Sequence, residues 1–186
     1  MLAAGASRRL GRPKQLVRIG AEPLVARAVR LAASLAPLWI GVVVGARAGA
    51  VAAALRDAPA ELVHARRWRA GLSASLAAGV RRAPRAARRL LVLTVDQWQV
   101  GRPDLVRLLA AARRRPAAAA YAGRLGVPAV FPRALWGELA ALDGDRGARE
   151  VLLRHRATAV PVPAAVHDLD TPAELAALRA AGGFAT

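Results

Sequence analysis

Residues 2–16 read LAAGASRRLGRPKQL. Leu2, Ala3 and Ala4 have strand character, and the chain then turns at Gly5 into a polar stretch that ends around Lys14. Small residues at Ala3, Ala4 and Gly5 let backbone N–H groups come close to an anion, while Arg9 and Lys14 bring cations to the same place. The loop is not a Walker loop, because one residue too many separates Gly5 from Gly11 and Arg12-Pro13 follow instead of Lys-Ser/Thr. A strand that opens into such a loop fits an α/β fold, in which ligands sit at the carboxyl ends of parallel strands.

Outward from this stretch, apolar runs of strand length alternate with helical patterns, without an internal repeat or a Pro/Ser-rich linker. Strands are expected at 2–4, 39–45, 61–65, 89–95, 117–121, 127–131 and 158–162. From Pro23 onward, Leu24, Val25, Ala28, Leu31, Ala32 and Leu35 form an apolar stripe at helical spacing, with Arg27 and Arg30 on the other side. Further helices are expected at 71–81, 103–112, 134–141, 146–154 and 171–180. At the last of these, Asp170 or Thr171 can cap, Pro172 fits the first turn and Glu174 favours the positive end. The runs around Val44 and Leu93 are aliphatic throughout, as in a parallel sheet covered on both faces. The 186 residues therefore predict one domain, 1–186, a Rossmann-like three-layer α/β unit with a mostly parallel sheet. Ala4-Gly5 and Asp96 fall on the same rim of that sheet.

A formal charge of +17 points by itself to a polyanionic partner. Of the 29 basic residues 28 are arginine, in a chain heavy in Ala, Gly, Leu and Val, the composition that a GC-rich coding bias produces. The arginines spread over many helices and the few aromatics give no stacking platform, so nucleic acid is not expected as the partner. The single lysine, Lys14, is the informative cation. A compact ammonium on a flexible stem suits phosphate oxygens, where arginine would impose a planar fork. Without cysteine, a disulfide framework, a zinc ribbon and a thiolate nucleophile are excluded. Gly-x-Ser-x-Gly is absent, and His64, His155 and His167 share no metal-ligand spacing. No apolar stretch reaches the roughly 18 residues that span a bilayer, and the expected location is cytoplasmic, away from membranes.

The pattern LAAGxSxRxGxPKxL resembles the signature loop of the molybdopterin (molybdenum cofactor) cytidylyltransferases, within the nucleoside-triphosphate transferase superfamily. Further segments are similar in the same order: WRAGLSASLAAGV at 68–80, LLVLTVDQW at 90–98, GVPAVF at 126–131, LDGDRGARE at 142–150 and HDLDTPAEL at 167–175. The resemblance implies a nucleotide-diphospho-sugar-transferase type of fold. It also implies Mg2+-dependent transfer of CMP from CTP, or of another nucleotide from its triphosphate, to a phosphorylated acceptor. That acceptor is molybdopterin carrying molybdenum, and pyrophosphate leaves. By the same resemblance Leu2, Ala3, Ala4, Gly5, Lys14, Gly71, Ser73 and Ser75 bind the nucleotide, and Lys14 and Arg9 stabilise charge on the leaving group. Asp96 and Asp170 hold the metal, with Asp168 the rival of Asp170. Gly126, Pro128, Asp145 and Arg149 border the acceptor. Guanylyl-transferring relatives usually carry LAGG and an Asp before the Lys, so Ala4 and Pro13 lean toward CTP. Docking to a molybdenum hydroxylase or its chaperone follows on the same ground.

Taken alone, these residues also have ordinary explanations. Ser73 and Ser75 suit a helix start, Asp168 and Asp170 suit capping ahead of Pro172, and Asp145 and Arg149 suit an i,i+4 pair. Asp96 could be a loop acid, although an acid ending a buried strand is costly unless it meets a cation. Trp98 replaces the Pro that often follows Asp-Gln in the family, and Ala65 replaces an Asn. Relatives carry more strand residues ahead of LAAG, so the first strand is read as truncated and a start upstream of Met1 is expected. Two other readings stay open: the same chemistry with another acceptor or GTP, and a non-catalytic basic binding or cofactor-insertion accessory protein.

Overall fold

The computed structural model describes residues 1–144 and 147–180. Its strands are β1 (Leu2–Ala3), β2 (Arg18–Ile19), β3 (Glu22–Pro23), β4 (Gly41–Val44), β5 (Glu61–His64), β6 (Arg89–Val92), β7 (Ala117–Tyr121), β8 (Arg124–Pro132) and β9 (Thr158–Pro161). Its helices are α1 (Leu24–Ala33), α2 (Ala48–Ala54), α3 (Leu72–Arg82), α4 (Arg102–Ala111), α5 (Trp136–Ala141), α6 (Arg149–Arg154) and α7 (Pro172–Ala180).

β1, β4 and β5 pair in parallel. Leu2 also bridges in parallel to Thr94 just beyond β6, and its N–H donates to the Leu93 carbonyl at 2.8 Å. This joins the two ladders in the order β5-β4-β1-β6-β8-β7-β9, in which β8 is the antiparallel member. The mostly parallel three-layer α/β fold is as the sequence predicts. Alternation along the strands sends successive side chains to opposite faces. On one face Val43, Val63, Val92, Ala118 and Phe131 pack with Leu76 and Val80 of α3, Leu139 of α5 and Leu152 of α6. On the other, Val42 and Val44 meet Val25 and Val29 of α1 and Val51 of α2, while Ala117, Ala119 and Val130 meet Leu105 and Leu108 of α4. Each such Leu, Val or Phe contributes about 1.5–3 kcal/mol relative to leaving it in water.

The differences from expectation have local causes. α2 was not anticipated: its AGAVAAA sequence has no polar face to mark a period, and Arg47 before it takes a left-handed φ of 59° without a side-chain cap. The β2–β3 hairpin is too short to show alternation. Strand 89–95 ends as a ladder at Val92, because the next partner in register on β8 is Pro128, which has no N–H to give. β8 begins three residues before the predicted 127–131, after the tight turn that pairs Tyr121 with Arg124. Helix 146–154 is realised as α6 from Arg149, and 134–141 as a 3-10 turn followed by α5.

A small fourth cluster lies outside the sheet. Leu10 and Val17 from the opening segment, Leu24 of α1, and Leu169 and Leu175 at α7 bury one another, with Trp98 over them. It fastens the end of the described chain to its beginning. An apolar cavity of about 420 Å³ opens at the amino ends of the strands, walled by Trp39, Leu90, Leu109 and Trp136, and holds none of the candidate residues. Among the described residues no helix is long and apolar enough to cross a membrane.

Candidate active site

The loop after β1 is held from beneath. Gln15 is buried, and its Nε2 donates to the carbonyls of Ala3 and Gly5, both at 2.8 Å. The Gly11 N–H reaches back to the carbonyls of Ser7 and Arg8, and the Lys14 N–H donates to Ser7 Oγ at 3.1 Å. Leu10 is sunk in the fourth cluster. The loop is therefore shaped from inside, and the 3-10 turn Lys14–Leu16 presents the Lys14 side chain.

Asp96 lies at the carboxyl end of the β6 segment, and the next residue fixes it. The buried Gln97 amide donates to the carbonyls of Val127 at 2.9 Å and Ala165 at 3.0 Å and accepts from Thr94 Oγ1 at 3.2 Å. One side chain thus ties the Asp96 turn to β8 and to the segment leading to Asp170. At α7, Glu174 Oε2 accepts the N–H groups of Asp170 and Thr171, both at 2.7 Å, and the Glu174 N–H donates to Thr171 Oγ1 at 3.3 Å. This is a capping box with Thr171 as the cap. The Asp170 carboxylate is left for another task.

That task is visible. Lys14 Nζ donates to Asp96 Oδ2 at 2.5 Å and to Asp170 Oδ1 at 2.9 Å, and Arg9 reaches Asp170 Oδ2 at 2.5 Å. Burial alone would lower the Lys14 pKa, but Asp96 and Asp170 together outweigh it and hold it above the ordinary 10.5. Arg9 is 74% exposed, so its contact is solvent-screened and weak, whereas the Lys14 contacts are mostly buried. Asp168 takes no part in this ion group. Its carboxyl is pushed up first by burial and then by the charges of Asp96, Asp170 and Glu174.

The donor set suits a hard divalent cation. Asp96 Oδ1 is buried without a hydrogen-bond partner, an arrangement that costs free energy unless something positive meets it. Among the described residues there is no group of three His, Cys, Asp or Glu that could hold a metal. Two carboxylates, with phosphate oxygens and water completing the shell, are what magnesium-type sites ordinarily use.

A cavity of about 510 Å³ opens beside this ion group on the carboxyl rim. Leu2, Ala3, Ala4, Gly5, Lys14 and Asp96 line one side, and Gly71 and Ser75 the other. Gly71 has φ 114° and ψ 179°, a conformation essentially restricted to glycine, and from it α3 starts without a side-chain cap. The positive end of that helix faces the cavity. Ser73 does not line it: the side chain is 0% exposed, its Oγ has no partner, and its N–H goes to the Gly144 carbonyl at 3.3 Å.

The acceptor-side residues do not converge as closely. Gly126 lies on β8 beneath Tyr121, whose hydroxyl would stand 2.6 Å from an added Cβ. Pro128 borders a small cavity with Gln97 and Trp98, and Arg149 is exposed at the start of α6. Asp145 lies outside the described residues. Sequence reasoning missed Gln15 and Gln97, and also Arg8 and Arg69, which line the main cavity. The Arg69 guanidinium stacks 4.5 Å above the Trp68 ring, and Trp68 lies so close to Gly45 that a Cβ there would be 2.5 Å from its Cγ. A glycine directly after a buried strand and a Trp just ahead of Gly71 were the available signals.

Sequence comparison aligns residues 1–159 with the model of the MobA-like NTP transferase domain. No curated protein matches the chain in sequence. Among solved structures, Rv0371c from Mycobacterium tuberculosis H37Rv is 30% identical, covering 95% of this chain and 94% of its own, with a TM-score of 0.81. The complex of that protein with manganese aligns at 28% identity over 95% of this chain and 94% of its own, with a TM-score of 0.76. A nucleotidyl transferase from Methanothermobacter, 23% identical over 97% of this chain and 94% of its own, shares the fold with a TM-score of 0.82. Because the match runs over residues 1–159, across the loop and Asp96, the chain belongs to the MobA-like NTP transferase domain family and is a nucleotidyltransferase.

Proposed function

We propose that this enzyme moves CMP from CTP to the terminal phosphate of molybdopterin carrying molybdenum, releasing pyrophosphate, with Mg2+ as its metal. The observation that carries the reading is the meeting of Lys14 with Asp96 and Asp170 at the edge of the rim cavity. At about 510 Å³ the cavity is in the range of small-ligand sites. Ala4 and Pro13 in the loop support CTP, and the resemblance of GVPAVF and LDGDRGARE supports the pterin acceptor. The manganese bound by Rv0371c supports a divalent metal.

An acceptor phosphate oxygen attacks the α-phosphorus in line; the new P–O bond forms as the bond to the bridging oxygen breaks, and the pyrophosphate takes the electron pair. A phosphate monoester is already anionic near neutral pH, so no side chain need act as base. Catalysis is then positioning and charge neutralisation. Loop amides around Gly5 approach the phosphates, Lys14 and Arg9 meet charge growing on the leaving group, and Gly71 and Ser75 face the base and ribose. Asp96 and Asp170 would hold the divalent cation, which supplies neutralisation of phosphate oxygens. By the resemblance Gly126, Pro128, Asp145 and Arg149 would meet the acceptor, and a molybdenum hydroxylase or its chaperone would adjoin that side.

Calorimetry against the four nucleoside triphosphates with Mg2+ tests base and site together. With the acceptor present, Lys14→Ala and Asp96→Ala should each lower pyrophosphate release by about 100-fold or more. Undiminished release in either variant ends its assigned role, and tighter GTP than CTP would make the enzyme a guanylyltransferase.

A further inference from the structure

Lys14 cannot keep its present contacts while a metal uses the same carboxylates. Its ammonium lies 2.5 Å from Asp96 Oδ2 and 2.9 Å from Asp170 Oδ1, bridging the two carboxylates that would hold a cation. Arg9 engages the remaining oxygen of Asp170. Magnesium binds oxygen at about 2.0–2.1 Å, so a cation within reach of both oxygens would overlap the ammonium and repel it. A metal arriving alone must therefore expel a charge that is mostly buried and leave it unpaired, which is strongly unfavourable. A triphosphate changes this balance. The Lys14 backbone stays tied to Ser7 Oγ, and the same loop offers its amides to phosphate, so the long side chain need only rotate from carboxylate to phosphate oxygens.

We propose that Lys14 is an internal counter-ion that keeps divalent metal off Asp96 and Asp170 until a triphosphate draws it away, so that metal and nucleotide enter as one event. The inference rests on the nucleotidyltransferase reading above. Coupling of this kind is reciprocal: the nucleotide strengthens metal binding by the factor by which metal strengthens nucleotide binding. A protein so built would not be loaded by free metal.

The test is Mn2+ binding to the full chain, followed by the paramagnetic signal of the free ion, with and without CTP. Lys14→Met should bind Mn2+ alone about tenfold more tightly than wild type, and wild type should gain about tenfold when CTP is added, a gain that Lys14→Met lacks. Lys14→Gln should behave in the same way and replaces Lys14→Met if that variant does not fold. Asp96→Asn in either background should abolish Mn2+ binding and leave the free-ion signal undiminished. A lysine with a merely structural role would weaken Mn2+ binding when removed. Equal or weaker binding by the folded variants, or binding that survives Asp96→Asn, overturns the proposal. Failure of wild type to bind any nucleoside triphosphate with metal would instead sink the underlying reading, whatever the variants do with Mn2+ alone.

Discussion

Gln15 shows what a single buried amide can decide. It supplies the donors for two loop carbonyls, and its own Oε1 has no partner. Gln15→Leu should cost about 1–3 kcal/mol in denaturant unfolding, because the Ala3 and Gly5 carbonyls lose their donors. It should also weaken triphosphate binding, because the loop that lines the cavity loses its inner support. Gly45→Ala tests the other wall: the new methyl group must push Trp68 and with it Arg69, so nucleotide affinity should fall several-fold while Mn2+ binding is unchanged, as calorimetry would show. Lys14 and Asp96 stand out in the sequence as the lone lysine and an acid ending a buried strand, while Gly71 and Asp170 are pointed to by the family resemblance. Gln15 was not legible, since its partners are main-chain oxygens that only the fold brings together. Arg69 was hidden among 28 arginines. Ser73 was overread, because helix spacing turns it into the core while Ser75 reaches the cavity.

Among the elements, α7 carries the most consequence for the site. Its capping box holds the backbone of Asp170, and the Glu174 carboxyl is kept below its ordinary 4.5 first by the Asp170 N–H, with burial acting in the opposite sense. A folded pKa below the unfolded one means that this contribution is complete above pH 4.5 and lost as pH falls through the folded value. Hydrogen exchange should therefore show the Asp170 and Thr171 amides losing protection in acid, and Glu174→Gln should remove that dependence. Packing supports the same element: Leu169→Ala should lower stability by about 2–5 kcal/mol in thermal or denaturant unfolding and separate Asp170 from Lys14. The main strands and most helices were legible because their apolar residues recur with a clear period. α2 and the β2–β3 hairpin were not, one for want of polar contrast and the other for want of length.

For the whole molecule, charge is the dominant quantity. With 29 basic and 12 acidic residues, most arginines act through their summed field rather than in pairs. Exposed pairs such as Arg30–Glu22 and Arg82–Glu61 contribute at most about 1 kcal/mol each. That field should speed the arrival of a triphosphate, so raising ionic strength from about 0.01 to 0.15 M should slow association by about tenfold as the screening length falls. Stopped-flow kinetics would check this, and a change confined to dissociation would contradict it. The three layers and the seven strands of the main sheet could be read from the sequence. The antiparallel β8 could not, because strand direction is set by the short turn before it.

Asp170 stands 156 positions after Lys14. A ribosome releases Lys14 first and Asp96 later, and Asp170 emerges only after every strand of the sheet. Leu169 and Leu175 must then settle against Leu10 before the last carboxylate can face the lysine. A stalled or prematurely terminated product would carry the anion loop and Asp96 but no second carboxylate. On the metal-holding role proposed for Asp170, such a product would lose turnover together with its second carboxylate.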